Sequence, residues 1–181
     1  MSEHAALVRV DLHEHVATVT LDDARRRNAM TPELGDALYD AVERLRGDGD
    51  VRAVVLTGAG DAFSAGGDLK MLERLRSAGF KQSRDFMLRF YARYLHVVDL
   101  EVPVVAALRG AAIGAGLCVA MACDLCVMDA SAKLALNFAQ LGLSPGMGAT
   151  YFVPLRAGAQ RGAELLLTGR RFSGREAVAM G

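Results

Sequence analysis

The chain has 181 residues, 52% of them hydrophobic and 23% charged, which suits one soluble globular domain with a sizeable core. Lys and Arg number 21 and Asp and Glu number 21, so no net charge draws nucleic acid or an anionic membrane, and neither is expected as a partner. Three cysteines, an odd count, argue for a reducing compartment, and the opening MSEHAALVRVDLHEH has no basic start before an apolar core, so a cytoplasmic protein is expected.

In chain order, LVRVDLHEHVATVTLD alternates apolar and polar residues on both sides of a break at His13 to His15, a β-hairpin pattern. The loop DARRRNAM follows. Thr31 and Pro32 then read as the N-cap and first residue of a helix with Glu33 and Asp36 near its start. Leu34, Leu38, Ala41, Val42 and Leu45 form its apolar face, and Gly47 stops it. RAVVLTG is a short buried strand, and GAGDAFSAGGDLKMLERL is a glycine-rich loop running into a helix. A second helix extends to about Val98, VPVVAAL is another buried strand, and a small-residue loop and helix span Gly110 to Cys123. That run is shorter than the roughly 18 apolar residues a membrane-spanning helix needs. DLCVMD and KLALN read as short strands; AQRGAELLLTG and Ser173 to Gly181 read as helices, the last with a Ser173–Glu176 capping box.

Strand and helix alternate, so the fold class is α/β. One pattern occurs twice, in VVLTGAGDAFSAGGDL and VVAALRGAAIGAGLCVA: buried strand, small-residue loop, helix. Glycine lets backbone approach a ligand, and a helix start offers unpaired N–H groups. Two such loops meeting at a point can hold an oxyanion. Equally, the glycines can serve tight strand–helix packing, and the residues alone leave both readings open.

Other motifs carry less. Neither loop has the third glycine of a dinucleotide fingerprint. GLSPG matches a serine nucleophile elbow around Ser144, but the next residue, Pro145, has no N–H to give an oxyanion. Cys118, Cys123 and Cys126 have iron–sulfur spacing without the fourth cysteine. His13 and His15 fall on a turn, and His96 reads as a partly buried structural residue.

The segments RRRNAM, AVVLTGAGDAFSAGGDLKML, PVVAALRGAAIGAGLCVAMACDL, LGLSPGMGAT and AELLLTGRRFSGREAVAMG together resemble the crotonase (enoyl-CoA hydratase/isomerase) superfamily, in its order and over nearly the whole chain. The resemblance implies a spiral of ββα turns that binds an acyl-CoA thioester, with no cofactor beyond coenzyme A as part of the substrate. It places the oxyanion-holding N–H groups on Gly67 and Ala115. It puts Arg25, Arg26, Ala65, Gly66 and Lys70 on the coenzyme A side, counts Phe138 among the substrate-binding residues as one that shapes the pocket, and implies a homotrimer or hexamer.

Two departures stand out. Hydratases of the family carry glutamates at the positions held here by Cys118 and Phe138, and no Asp or Glu occurs between Asp129 and Glu164. Ordinary hydration by a carboxylate pair is therefore not expected. Replacement acid/base candidates are Cys118, Asp68, Tyr91 and Tyr94. Asp68 also reads as a helix-start residue and the tyrosines as packing. Near a helix start Cys118 is either a reactive thiolate or a small apolar filler, and filler is the preferred reading. The second departure is length: residues 1–181 read as one crotonase-like domain without the helical segment with which family chains continue. The reading is an acyl-CoA-binding enzyme that stabilises a thioester enolate; its rival is a non-catalytic coenzyme A-binding or assembly homologue of the same fold.

Overall fold

The computed structural model describes residues 7–181; the opening MSEHAA, read above for a targeting signal, lies outside them. Strands β1 (Val8–His13) and β2 (Val16–Leu21) pair antiparallel across the expected turn, where Glu14 and His15 take φ of 45° and 67°. Two successive positive φ values give the turn a twist that matches its strands. Helix α1 (Pro32–Arg46) begins where Thr31 and Pro32 indicate, with the Thr31 side chain accepting the Leu34 N–H at 3.2 Å. The expected apolar face of α1 is buried, and Gly47 ends the helix.

From there the chain repeats one unit three times. Strand β3 (Ala53–Gly58) leads to β4 (Ala62–Ser64), then helices α2 (Leu69–Arg76) and α3 (Phe80–Leu95). Strand β5 (Val104–Leu108) leads to β6 (Ala111–Ile113) and α4 (Ala115–Ala122). Strand β7 (Leu125–Met128) leads to β8 (Lys133–Ala135), α5 (Ala149–Ala157) and α6 (Ala159–Thr168), before β9 (Arg171–Ser173) and α7 (Gly174–Met180). The first strand of each unit enters a sheet of order β1-β2-β3-β5-β7, and the second enters a sheet of order β4-β6-β8-β9. Successive units pair in parallel within both sheets, so the chain winds as a ββα spiral.

One expected loop carries a strand. Over Gly110 to Cys123, where a small-residue loop and then a helix are expected, the loop portion is β6 and the helix is α4, with Gly110 and Gly114 holding φ of 67° and 52° and turning the chain on either side of the strand. A Cβ at Gly110 would stand 1.9 Å from the Asp61 carbonyl oxygen, so only glycine fits between the two turns of the spiral. Helix α4 is buried from Ala115 through Ala120, as an uncharged helix must be. Its C-terminal end is met by Arg156 of α5, whose guanidinium donates to the carbonyls of Met121, Cys123 and Asp124. A cation there offsets the negative end of the helix. Among the described residues, no helix is long and apolar enough to cross a membrane.

Candidate functional site

The loop after β4 is held by hydrogen bonds. Met30 N–H donates to the Gly66 carbonyl at 2.8 Å, and Asp68 N–H donates to the Met30 carbonyl at 3.0 Å. Backbone groups alternate sides along such a segment, so the Gly67 N–H faces away from Met30. Among the described residues it meets no protein acceptor. Beneath the loop lies Asn28, fully buried at φ 52°. Its side chain accepts the Asp23 N–H at 2.9 Å and donates to the carbonyls of Ala59 at 3.0 Å and Ala62 at 2.9 Å. The Ser64 hydroxyl donates to the Asn28 carbonyl at 2.7 Å and accepts the Gly66 N–H at 3.1 Å. Sequence reading passed over Asn28; the available signal was an asparagine, a residue at ease with positive φ, between an arginine run and buried Met30.

This loop backs onto the start of α4. Gly66 has φ 88°, and a Cβ there would stand 2.6 Å from the Ile113 carbonyl oxygen and 3.9 Å from the Ala115 nitrogen. A Cβ at Gly116 would stand 2.6 Å from the Ser64 Cβ, so α4 also packs directly on β4. Gly114, the N-cap of α4, provides no capping side chain, and the Ala115 N–H has no protein acceptor among the described residues. The structure therefore brings the Gly67 and Ala115 segments to one corner. Both offer an unpartnered N–H, and one of these sits at the positive end of a helix, an arrangement able to take up negative charge.

The four acid/base candidates separate cleanly. Cys118 is fully buried, and burial pushes its thiol well above the usual range. The expected helix-start effect on a thiolate is thus outweighed by desolvation, which leaves the filler reading. The Cys123 thiol is pushed up to about 12 by burial, and that of Cys126 is raised for the same reason. Asp68 is the N-cap of α2, its carboxylate accepting the Met71 N–H at 2.7 Å. Tyr94 is fully buried, packs on Gly35, and donates to the Thr31 carbonyl at 2.7 Å, which ties α3 to the start of α1. Tyr91 differs. It is half-buried, and its hydroxyl lies over Gly146, where a Cβ would stand 2.1 Å from the phenol oxygen. Burial raises the Tyr91 phenol and nearby Cys118 adds to the rise, while a hydrogen bond with the Met147 backbone works the other way.

The remaining residues spread around this corner. Phe138 is half-buried, its ring tip 3.9 Å from where a Gly114 Cβ would be, so it borders the start of α4. Ala65 is exposed, and its N–H donates to the Arg27 carbonyl at 2.8 Å, setting the arginine loop beside the glycine loop. Arg26 pairs with Asp23 at 2.6 Å; Arg25 is exposed and, among the described residues, has no ion-pair partner. Lys70 is exposed in the first turn of α2. Ser144 is exposed in a loop after a 3-10 turn rather than at a strand-to-helix elbow. His96 places its ring nitrogens 2.7 Å from Asp99 and 2.6 Å from Glu43 and stacks on Tyr39, the expected structural role.

Comparison with known proteins adds to this geometry. The family model described as Enoyl-CoA hydratase/isomerase matches residues 11–181. A probable enoyl-CoA hydratase of Mycobacterium tuberculosis is 41% identical over 175 residues, covering 96% of this chain and 67% of that protein. A bacillaene synthase decarboxylase of Bacillus subtilis is 30% identical over 171 residues, covering 94% of this chain and 66% of that protein. The crystal structure of an enoyl-CoA hydratase from Bacillus anthracis matches with a TM-score of 0.88 at 34% identity, over 97% of this chain and 67% of that one. The chain thus spans about two thirds of the length of these proteins.

Proposed function

Because the chain belongs to the enoyl-CoA hydratase/isomerase (crotonase) family, we propose that it binds an acyl-CoA thioester and stabilises the enolate of that thioester between the Gly67 and Ala115 N–H groups. The observation that carries this reading is the pair of unpartnered N–H groups on successive turns of the spiral. Donors fixed before the reaction and aimed at charge that develops in it need not reorganise, and each contributes heavily to rate. Arg25, Arg26 and Lys70 would face the coenzyme A phosphates, with Ala65 and Gly66 beside the nucleotide. The assembly that accompanies this reading is a trimer or a pair of trimers.

The positions where the family's hydratases carry glutamates hold Cys118 and Phe138, and the only polar atom of the two belongs to a buried, protonated thiol. Activating water as hydratases do is therefore not the chemistry of this site. The relatives' names include both hydratases and a decarboxylase, so the family permits more than one fate for an enolate. The test pairs titration with an unreactive acyl-CoA and a crotonyl-CoA hydration assay. Acyl-CoA is expected to bind, and hydration to stay far below the roughly 10 per second of an ordinary enzyme. Failure to bind would remove the acyl-CoA reading, and hydration at an ordinary rate would show that another group replaces the carboxylates. Binding without turnover of any thioester would favour the non-catalytic homologue, the reading that the absent carboxylates support.

A further inference from the structure

We propose that the junction of α2 and α3 docks on an anionic lipid surface, with the Phe80 ring entering the headgroup layer and the Arg and Lys side chains around it meeting lipid phosphates. This docking is independent of the thioester corner and of the reaction carried out there.

The balanced total charge, which speaks against such a partner for the chain as a whole, conceals an uneven distribution. Of the 27 residues from Leu69 to Leu95, seven are basic and two are acidic, whereas the rest of the chain holds 14 basic and 19 acidic residues. A charged surface responds to what lies within a Debye length, roughly 8–10 Å at ordinary salt, and not to the sum over the molecule. Among the described residues Arg74, Arg76, Lys81 and Arg89 have no ion-pair partner, and Arg84 reaches only Asp85, at 3.4 Å.

The two helices are joined by Ser77, Ala78 and Gly79, and the Ser83 hydroxyl donates to the Leu75 carbonyl at 2.9 Å, so the end of α2 and the start of α3 form one fixed corner. Arg76, Phe80 and Lys81 are all exposed there. Phe80 is 84% exposed, and Leu88, two turns along α3, is 54% exposed. Lys81, Arg84 and Leu88 are spaced three and four apart, so they share one side of α3, away from the side that buries Phe90 and Tyr94.

The stability of the helices does not account for these choices. Arg74 and Arg76 suit the negative C-terminal end of α2. Lys81 and Arg84 stand instead in the opening turns of α3, at its positive end, with no acidic residue in the first turn and no side-chain cap. Cations there weaken the helix, and a bare Phe80 ring beside them stays in water. An anionic lipid surface relieves both, because phosphates neutralise the cations and the ring leaves water. The pattern also favours lipid over an acidic protein. Phe80 and Leu88 are separated by Arg84, whereas a protein interface gathers its apolar anchors into a packed centre. A fluid headgroup layer accepts apolar and cationic side chains interleaved in this way.

The test is flotation of the full chain with vesicles of phosphatidylcholine alone, or with about 30% phosphatidylglycerol, at low and at high salt. The wild type should bind only the anionic vesicles, and at least about tenfold more weakly at high salt. The double variant Lys81→Glu, Arg84→Glu should lower the partition coefficient at least about tenfold, and Phe80→Ala about threefold or more. The double variant should melt no lower than the wild type, because it places acids at a helix start, and both should keep the wild-type affinity for an unreactive acyl-CoA. The chain has no tryptophan, so Phe80→Trp gives a single reporter whose emission should move to shorter wavelength with anionic vesicles. Absence of binding to anionic vesicles, binding that survives in the double variant, or an emission that does not move would each overturn the proposal. Binding to soluble poly-glutamate with none to the vesicles would overturn it in favour of an acidic protein.

Discussion

The two loop–helix turns that meet at the site look alike in sequence and are stabilised by different means. Helix α2 begins on Asp68, which caps it with its own carboxylate, and only Met71 of this helix is buried. Helix α4 begins on Gly114, has no side-chain cap, and buries every residue from Ala115 to Ala120. In the first turn the N–H is aimed by hydrogen bonds, with Gly67 set between two bonds to Met30 above the Asn28 and Ser64 network. In the second turn the N–H is aimed by packing, with α4 pressed onto Ser64 and clamped from behind by Arg156. A pair of donors can thus be fixed from one side by polar satisfaction and from the other by close packing, and the two should fail differently.

The largest expected effect comes from Ala115→Pro. Ala115 is the first residue of α4, where proline is tolerated because the N–H has no helical partner. The donor is lost and the helix kept, so kcat should fall about 10²–10³-fold, or about 2.7–4 kcal/mol, with little change in melting temperature. An unchanged kcat in a folded variant would show that this N–H does not meet the reacting oxygen. Asn28→Ala should act through stability first, because it strands the Asp23 N–H and the Ala59 and Ala62 carbonyls in a buried place. A loss of about 2–3 kcal/mol in urea unfolding is expected. A loss below about 0.5 kcal/mol would mean that the hydrogen-bonded turn is held by something else.

Smaller effects separate the packed turn from the capped one. The buried thiols stay protonated in the fold, while the unfolded chain loses their protons above about pH 9. Their contribution is therefore complete below pH 9 and is lost as pH rises toward about 12. The slope is roughly 1.4 kcal/mol per pH unit for each thiol, so urea midpoints should fall between pH 8 and pH 10 and fall less in a Cys123→Ala variant. In native protein, iodoacetamide should label Cys118 no faster than half-buried Cys126; faster labelling would restore the reactive reading. Asp68→Ala should cost about 1 kcal/mol of stability as a lost cap and leave kcat nearly unchanged. A collapse of kcat there would give Asp68 a chemical role.

The longer elements were legible because their signals are local. Thr31 before Pro32, the apolar face of α1 and the Ser173–Glu176 box each act within a turn or two of chain, and all are present. The second sheet was less visible. Strands β4, β6 and β9 have three residues each, too few for a period to show, and they exist because neighbouring turns of the spiral supply their partners. The glycine loops were found at once, but whether their glycines serve packing or a ligand had no answer in sequence. In the fold they serve packing at Gly110 and Gly116 and leave N–H groups open at Gly67 and Ala115. The roles of Asn28 and of Gly146 beneath Tyr91 depend on contacts across 31 to 34 residues in the first case and between α3 and a distant loop in the second. No local pattern records them.

The central claim is that the two differently built turns present their N–H groups to one oxygen. A crystal structure of the full chain with an unreactive acyl-CoA analogue tests it most directly. The account predicts the thioester oxygen at about 2.7–3.1 Å from both the Gly67 and Ala115 nitrogens. A thioester bound away from this corner, with both N–H groups still unpartnered, would contradict it.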